Sequence, residues 1–101
     1  MPSTAAETAH VAVVIPMFRA AAHIAGVIRT VPAWVRTIVV VDDRSPDDGA
    51  RVVQELGDPR VTLLRHERNQ GVGGATLTGY REAMRLGATV LVKMDADGQM
   101  D

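Results

Sequence analysis

The chain has 101 residues, of which 47% are hydrophobic, so it is long enough for one small domain with a buried core. Its formal net charge of −1 and its low aromatic content argue against a general nucleic-acid-binding surface. The absence of cysteine excludes disulfides and thiolate metal sites. No apolar run approaches the roughly 18 to 20 residues of a membrane span. We expect a cytoplasmic protein, with the cytoplasmic face of a membrane as the alternative.

Residues 1–10 lack the apolar segment of a secretory signal and are expected to form a flexible lead-in. After them, the apolar runs at 11–15, 37–41, 61–64 and 89–94 are typical of short strands buried on both faces. Pro16 is expected to end the first strand, because proline has no N–H for the ladder.

Three helices are expected between these strands. The first covers 21–31, with Ile24, Val27, Ile28 and Val31 on its inner face. The second is expected to begin at Ser45 as its N-cap and to end at Gly57. The third covers about 75–86, and its expected inner residues are Leu77, Tyr80, Ala83, Met84 and Leu86.

The alternation of strands and helices predicts an α/β fold: a three-layer α/β/α domain with a parallel sheet of about four strands. Ligands of such sheets bind outside the carboxyl ends of the strands. Polar clusters at 16–19, 42–45, 65–74 and 95–99 each follow a predicted strand. We therefore expect these four clusters to meet at one edge of the sheet.

The last cluster, in the sequence DADGQ, has the residue types of a metal site. If the backbone stays extended, Asp95 and Asp97 point to one side and Gln99 joins them. Gly98 would let the backbone approach a ligand closely. Oxygen ligands at this spacing suit Mg²⁺ or Mn²⁺, although Asp and Gly are also common in solvated turns.

The common nucleotide-binding motifs are absent from this sequence. The residues after the first strand, PMFRAA, contain no glycine, and no GxxxxGK[ST] occurs. The glycine run at 71–74 is expected to be a loop. It is open to two interpretations, a phosphate cradle or close packing of a helix on a strand, of which we favour packing.

Four segments, VVIP, VVVDDRSPDDG, NQGVGGATLTGY and KMDADGQMD, occur in this order between residues 13 and 101. Together they resemble the nucleotide-binding half of family 2 glycosyltransferases, which have the GT-A fold. The likeness is strongest to the branch of polyprenyl-phosphate (dolichyl-phosphate) mannose and glucose synthases, and it covers residues 11–101. It implies a GDP- or UDP-linked sugar donor, Mg²⁺ or Mn²⁺, and inverting transfer to an acceptor such as a polyprenyl phosphate.

The resemblance also implies roles for individual residues. Asp42 would face away from the ligand and order its loop. The three histidines, His10, His23 and His66, have no partner at the spacing of metal ligands and receive no role. The nucleotide sugar would contact Pro16 and Phe18 at the base, Val41 and Asp43 between base and ribose, and Asp95, Ala96 and Asp97 along the phosphates, while Asp97 and Gln99 would hold the metal.

The sequence departs from the family pattern at several positions. Residues 16–20 read PMFRA where PxYNE is usual, so Ala20 replaces an acidic residue and Arg19 an asparagine. Arg19 is either a phosphate contact or a solvated side chain. Arg44 stands where glycine is usual, which predicts a stiffer loop. The general base of the family would lie beyond Asp101, so we expect a donor-binding half that lacks a catalytic residue and is inactive alone.

Two other functions remain open at this point. The chain could be a nucleotide-sugar-binding module without chemistry. Alternatively, DADGQ resembles the DxDGT loop of haloacid-dehalogenase-type phosphatases, although that loop usually follows the first strand of its fold and this one follows the fourth predicted strand.

Overall fold

A computed structural model of the chain describes residues 9–97. Most of the expected lead-in, together with Gly98 and Gln99, lies outside this range. The structure has the element order β1-α1-β2-α2-β3-α3-β4. The strands are β1 (Val11–Met17), β2 (Thr37–Asp42), β3 (Val61–Arg65) and β4 (Val90–Lys93), and the helices are α1 (Ile24–Thr30), α2 (Gly49–Leu56) and α3 (Gly71–Arg85).

The four strands form one parallel sheet in the order β3-β2-β1-β4. In its register Val14 lies opposite Val39 on β2 and opposite Lys93 on β4. The central strands β1 and β2 consist largely of β-branched residues, which fit a pleated surface covered on both sides. The parallel topology confirms the expected α/β class and brings all four carboxyl ends to one edge.

Alternating residues of the strands feed two separate cores. Val13, Ile15, Ile38 and Val40 pack with α1 and α2 on one face of the sheet, whereas Ala12, Val14, Val39 and Val41 pack with α3 on the other. The inner residues expected for α1 are all buried. The structure therefore has the three predicted layers. None of its helices is long and apolar enough to cross a membrane within residues 9–97.

The inner face of α3 differs from the expected one. Ala75, Gly79 and Ala83, spaced by one turn, are its buried residues. A Cβ at Gly79 would lie closer than 3.0 Å to Cγ1 of Val14 and 3.2 Å from Cγ2 of Val41. The helix lies so close to the sheet that only small residues fit beneath it. Of the predicted inner residues, Ala83 is buried and Tyr80 half-buried, but Leu77, Met84 and Leu86 are exposed, so the prediction is wrong for these three.

The first strand runs through Pro16 to Met17, so the prediction that Pro16 ends it is wrong. The carbonyl of Val14 accepts the N–H of Met94 from the β4 side. The nitrogen of Pro16, two residues on, faces the same side. Pairing with β4 ends at Val14 and Lys93. The missing N–H of Pro16 therefore costs the sheet no hydrogen bond.

The expected N-cap at Ser45 is also wrong, because α2 begins at Gly49 after Asp48. Ser45 instead ties two loops together. Its N–H donates to Oδ1 of Asp42 at 2.9 Å, and its Oγ accepts the N–H of Arg19 at 3.2 Å. The hydroxyl of Ser45 therefore joins the loops that follow β1 and β2 and does not cap α2.

The glycine run at 71–74 is the first turn of α3, not the expected loop. Gly71 has φ 81°, a conformation that favours glycine, and its N–H donates to Oδ1 of Asn69 at 3.1 Å. A Cβ at Gly73 would meet nothing within 4 Å. The close helix–sheet packing that we expected from this run is therefore provided by Gly79, further along the helix.

The amino ends of the strands are joined by polar contacts of their own, which we call the amino edge. The guanidinium of Arg60 donates to the carbonyls of Val31, Pro32 and Val35 at 3.3, 2.8 and 3.2 Å. The same group, 2.9 Å from Asp58, holds the pKa of that carboxyl below its ordinary 3.8.

The amino edge also includes His10, just before β1. Its Nε2 lies 2.6 Å from Thr37 Oγ1, and its backbone N–H donates to Thr89 Oγ1 at 2.9 Å.

Candidate functional site

A cavity of about 380 Å³ opens at the carboxyl edge of the sheet. Its volume falls within the range of roughly 300–1,000 Å³ that is usual for small-molecule sites. Residues that follow all four strands contribute to it, as the parallel topology predicts. The lining consists of Pro16, Met17, Phe18, Ala20, Asp43, Asn69, Gly71, Val72, Ala75, Asp95, Ala96 and Asp97.

The structure brings every predicted nucleotide-sugar residue to this cavity except Val41. The side chain of Val41 is fully buried under α3 and packs with Ala75 and Ala83. It therefore supports the wall of the cavity from behind. The second metal ligand expected from the sequence, Gln99, lies outside the described residues.

Phe18 forms an exposed aromatic rim of the cavity. Its side chain is 44% exposed, and Cζ of Arg19 lies 5.1 Å from the centroid of its ring. Arg19 itself has φ 56°, a left-handed conformation that is uncommon for residues other than glycine. A planar apolar ring beside Pro16 offers a surface on which a flat ligand group can stack.

Asp43 is the buried carboxylate of the cavity, with 2% exposure. Its Oδ1 lies 2.8 Å from Nδ1 of His66 and accepts the N–H of Gln70, also at 2.8 Å. The side-chain amide of Asn69 donates to its backbone carbonyl at 3.0 Å. The loop after β3 is thus wrapped around the end of β2, and it fixes the position of this carboxylate.

The neighbouring Asp42 has the loop-ordering role that was expected. Its Oδ1 accepts the N–H of Ser45, and its Oδ2 accepts Nε–H of Arg65 at 3.1 Å. Asp42 does not line the cavity. Of the two adjacent aspartates, Asp42 therefore holds the loops and Asp43 faces the cavity.

Asp95 and Asp97 lie at the other side of the cavity. β4 ends at Lys93, and residues 96–97 form a turn, so the extended backbone assumed for this segment is not present. Both aspartates nevertheless line the cavity, as does Ala96. Nζ of Lys93 lies 3.7 Å from Oδ1 of Asp95.

The donor set at this point suits a hard divalent cation that is shared with a ligand. Within residues 9–97 no three carboxylates, histidines or cysteines cluster into a complete metal cage. Mg²⁺ usually takes one or two carboxylates from the protein and completes its shell with water and ligand phosphates. Asp95 and Asp97 can provide that number of carboxylates.

The charge of the cavity points the same way. Its described lining includes Asp43, Asp95 and Asp97 but no lysine or arginine. Among these lining residues a phosphate-bearing ligand would meet only like charge, although Nζ of Lys93 lies 3.7 Å from Asp95. A bound cation between the ligand and the two aspartates after β4 would remove this repulsion.

His66 is the residue that sequence reasoning missed. It is 8% exposed, and besides Asp43 it contacts Thr78 Oγ1 through Nε2 at 2.9 Å. The signal lies in the register: Asp42 pairs with Arg65, so the next residues of the two strands, Asp43 and His66, are adjacent. That register is a property of the folded sheet. Asn69, in the loop after β3, was missed as well; it lines the cavity and donates to the backbone carbonyl of Asp43.

A parallel α/β domain with an acidic cavity at its carboxyl edge belongs to the broad class that binds ligands outside the strand ends. Residues 12–101 match the family described as "Glycosyl transferase family 2", and the chain belongs to that family. The resemblance noted in the sequence is thereby confirmed.

Individual relatives agree with this family. The chain is 40% identical to UDP-N-acetylglucosamine–dolichyl-phosphate N-acetylglucosaminyltransferase of Methanococcus voltae over 61% of its length. It is 45% identical to polyprenol monophosphomannose synthase of Mycolicibacterium smegmatis and 44% identical to undecaprenyl-phosphate mannosyltransferase of Micrococcus luteus, each over 60% of its length. It spans 30%, 24% and 26% of these three relatives, respectively.

A solved structure shares the fold. The mannosyltransferase PcManGT from Pyrobaculum calidifontis, in complex with GDP-Man and Mn²⁺, aligns with a TM-score of 0.78 and 26% identity. The alignment covers 87% of this chain and 27% of that protein. The GT-A likeness inferred from four sequence segments therefore extends to the three-dimensional arrangement.

Proposed function

We propose that this chain is the donor-binding part of a glycosyltransferase, and that it holds a nucleotide-diphosphate sugar through a divalent cation for inverting transfer to an acceptor. One observation carries the proposal: an exposed aromatic ring, a fixed buried carboxylate and two further carboxylates line a single cavity in a family 2 chain. These groups match the base, the ribose and the metal-bound diphosphate of such a donor.

The proposed donor extends across the cavity from β1 towards β4. The base stacks on Phe18 and Pro16, and Asp43 accepts a hydrogen bond from a hydroxyl or N–H of the nucleoside. The diphosphate lies near Asp95, Ala96 and Asp97. A cation held by Asp97, with Gln99 as a further proposed ligand, would neutralise the departing nucleotide diphosphate.

The names of the relatives guide the choice of donor and acceptor. PcManGT was solved with GDP-Man and Mn²⁺, and the curated relatives are named for dolichyl, polyprenol and undecaprenyl phosphates or their products. We propose a GDP- or UDP-linked sugar as donor, Mn²⁺ or Mg²⁺ as cation, and a polyprenyl phosphate as the acceptor of the whole protein. Because such an acceptor is a membrane lipid, we propose that the reaction takes place at a membrane, at its cytoplasmic face.

Calorimetry of the protein with GDP-mannose and UDP-N-acetylglucosamine, with Mn²⁺ or with EDTA, tests the proposal. We expect one of the two donors to bind with Mn²⁺ and to lose most of its affinity in EDTA. Asp97→Asn should remove the Mn²⁺-dependent part of binding. The matched control is Asp48→Asn, which makes the same change of charge at an exposed site outside the cavity. Failure of both donors to bind with Mn²⁺ would refute the proposal.

A binding module without chemistry is the second candidate, and Ala20 is the observation that favours it. This residue lines the cavity where the family pattern carries an acidic residue. Transfer from the bound donor to a polyprenyl phosphate, measured with the full-length protein, separates the two functions. The phosphatase alternative has less support, because Asp95 and Asp97 follow β4, the fourth strand, whereas the phosphatase loop usually follows the first strand of its fold.

A further inference from the structure

We propose that His66 is a positioning residue for donor binding, which acts by orienting the carboxylate of Asp43 towards the nucleoside. The inference rests on the proposed function, since it concerns the same cavity. His66 itself does not line the cavity. Its contribution to binding is therefore indirect. A residue that acts through Asp43 should lose its effect when Asp43 is replaced, whereas a direct ligand contact should not.

Both ring nitrogens of His66 are engaged. Nδ1 lies 2.8 Å from Oδ1 of Asp43, and Nε2 lies 2.9 Å from Oγ1 of Thr78 on α3. With 8% exposure, the ring is also enclosed by its neighbours. A ring held at both ends has one orientation, so the N–H at Nδ1 is aimed at Asp43.

The two oxygens of Asp43 have different surroundings. Oδ1 accepts hydrogen bonds from His66 and from the N–H of Gln70. Oδ2 has no hydrogen-bond partner within residues 9–97. In that part of the chain every fully buried side-chain oxygen has a partner, so Oδ2 is not fully buried. Oδ2 therefore keeps a small exposed surface in a residue that is 2% exposed overall, and Asp43 lines the cavity. One oxygen anchors the carboxylate while the other is available to a ligand.

The contact with His66 determines which oxygen faces the cavity. If it were lost, the N–H of Gln70 would be the remaining donor to Oδ1, and the carboxylate could rotate about its last torsion. Thr78 belongs to α3, which lies directly on the sheet through Gly79. The contacts from Thr78 through His66 to Asp43 thus hold the carboxylate in a fixed position relative to α3.

Two amide substitutions separate the two nitrogens of the ring. The side-chain N–H of asparagine lies near the place of Nδ1, and that of glutamine lies near the place of Nε2. His66→Asn therefore keeps a donor for Asp43, whereas His66→Gln keeps the contact with Thr78 alone. With GDP-mannose and Mn²⁺ we expect His66→Gln to raise Kd about tenfold and His66→Asn to raise it less than about threefold.

A double-mutant cycle with Asp43→Asn tests whether His66 acts through Asp43. If it does, His66→Gln weakens binding about tenfold in the native protein and by less than about twofold in the Asp43→Asn background. An equal loss in both backgrounds would overturn the inference, as would a weaker effect of glutamine than of asparagine. Urea unfolding of each variant accompanies the titrations, so that affinities are compared between folded proteins.

Thr78→Val provides a second test should His66→Gln not fold. It removes the hydroxyl that holds Nε2 while keeping the shape of the side chain, and we expect Kd to rise about threefold. An unchanged Kd would overturn the inference. If the native protein binds the donor and all variants bind equally well, positioning by His66 fails while the proposed function stands. If the native protein binds neither donor, both fail.

Discussion

Replacing Gly79 by alanine should destabilise the fold, although alanine is the better helix former. The new Cβ would lie closer than 3.0 Å to Cγ1 of Val14 and 3.2 Å from Cγ2 of Val41. Both valines are fully buried, and their branched side chains have little freedom to turn away. Relief must therefore come from a shift of α3 away from the sheet, which loosens its other contacts as well.

The expected magnitude follows from two opposing effects. Helix propensity favours alanine over glycine by about 1 kcal/mol. Overpacking of a well-filled core costs about 1–3 kcal/mol, and an overlap with stiff β-branched residues belongs at the upper end. The net loss should be about 1–2 kcal/mol. For a domain of this size, that loss lowers the midpoint of thermal unfolding by about 4–16 °C.

Urea unfolding followed by circular dichroism measures this difference. Gly73→Ala is the matched control, since the same substitution in the same helix meets nothing within 4 Å and should leave stability unchanged or slightly raised. Val14→Ala should be less costly in the Gly79→Ala background than alone, because it removes the overlapping methyl group. A Gly79→Ala protein as stable as Gly73→Ala would refute the reasoning.

Three further predictions concern other parts of the chain. Arg44→Gly should stabilise the protein by about 1 kcal/mol in urea unfolding, because Arg44 has a left-handed φ of 63°; an equal gain from Arg44→Ala would contradict that cause. Asp58→Asn should cost about 1 kcal/mol at pH 7. Because the contact with Arg60 lowers the pKa of Asp58, this cost should disappear as the pH falls through and below the folded-state pKa, and a constant difference between pH 7 and pH 3 would argue against the ion pair. Phe18→Ala should weaken GDP-mannose binding about tenfold by calorimetry, whereas Phe18→Tyr should not.

The architecture was predictable because it depends on patterns along the chain. Apolar runs of strand length alternate with helical periodicity, and a parallel sheet must bring its carboxyl ends to one edge. The positions of Phe18, Asp43 and Asp95 at the cavity follow from that topology. No knowledge of individual side-chain contacts was needed to anticipate them.

The errors arose where a partner surface decides the outcome. Leu77 and Met84 have the size and spacing of core residues, but the distance between α3 and the sheet is set by Gly79 and admits only small side chains beneath the helix. Ser45 has the local signature of an N-cap, but in the fold it hydrogen-bonds with Asp42 and Arg19 instead. The contacts of Gly79 with β1 and of Ser45 with Arg19 join residues that are far apart in sequence.

The roles of the histidines could not be read from the sequence for a related reason. His66 follows β3 and Asp43 follows β2, and only the pairing of these strands makes the two side chains neighbours. His10 likewise reaches Thr37 across the sheet. Neither residue has a partner at a short spacing along the chain that would have marked it as a structural or functional residue.

The amino edge also has a practical consequence. Arg60, Asp58 and His10 secure the strands at the end opposite the cavity, and none of them lines it. The contacts that stabilise this end of the sheet are consequently separate from the residues to which we assign donor binding. An engineer could raise the melting temperature through the first set while leaving ligand preference to be altered through the second.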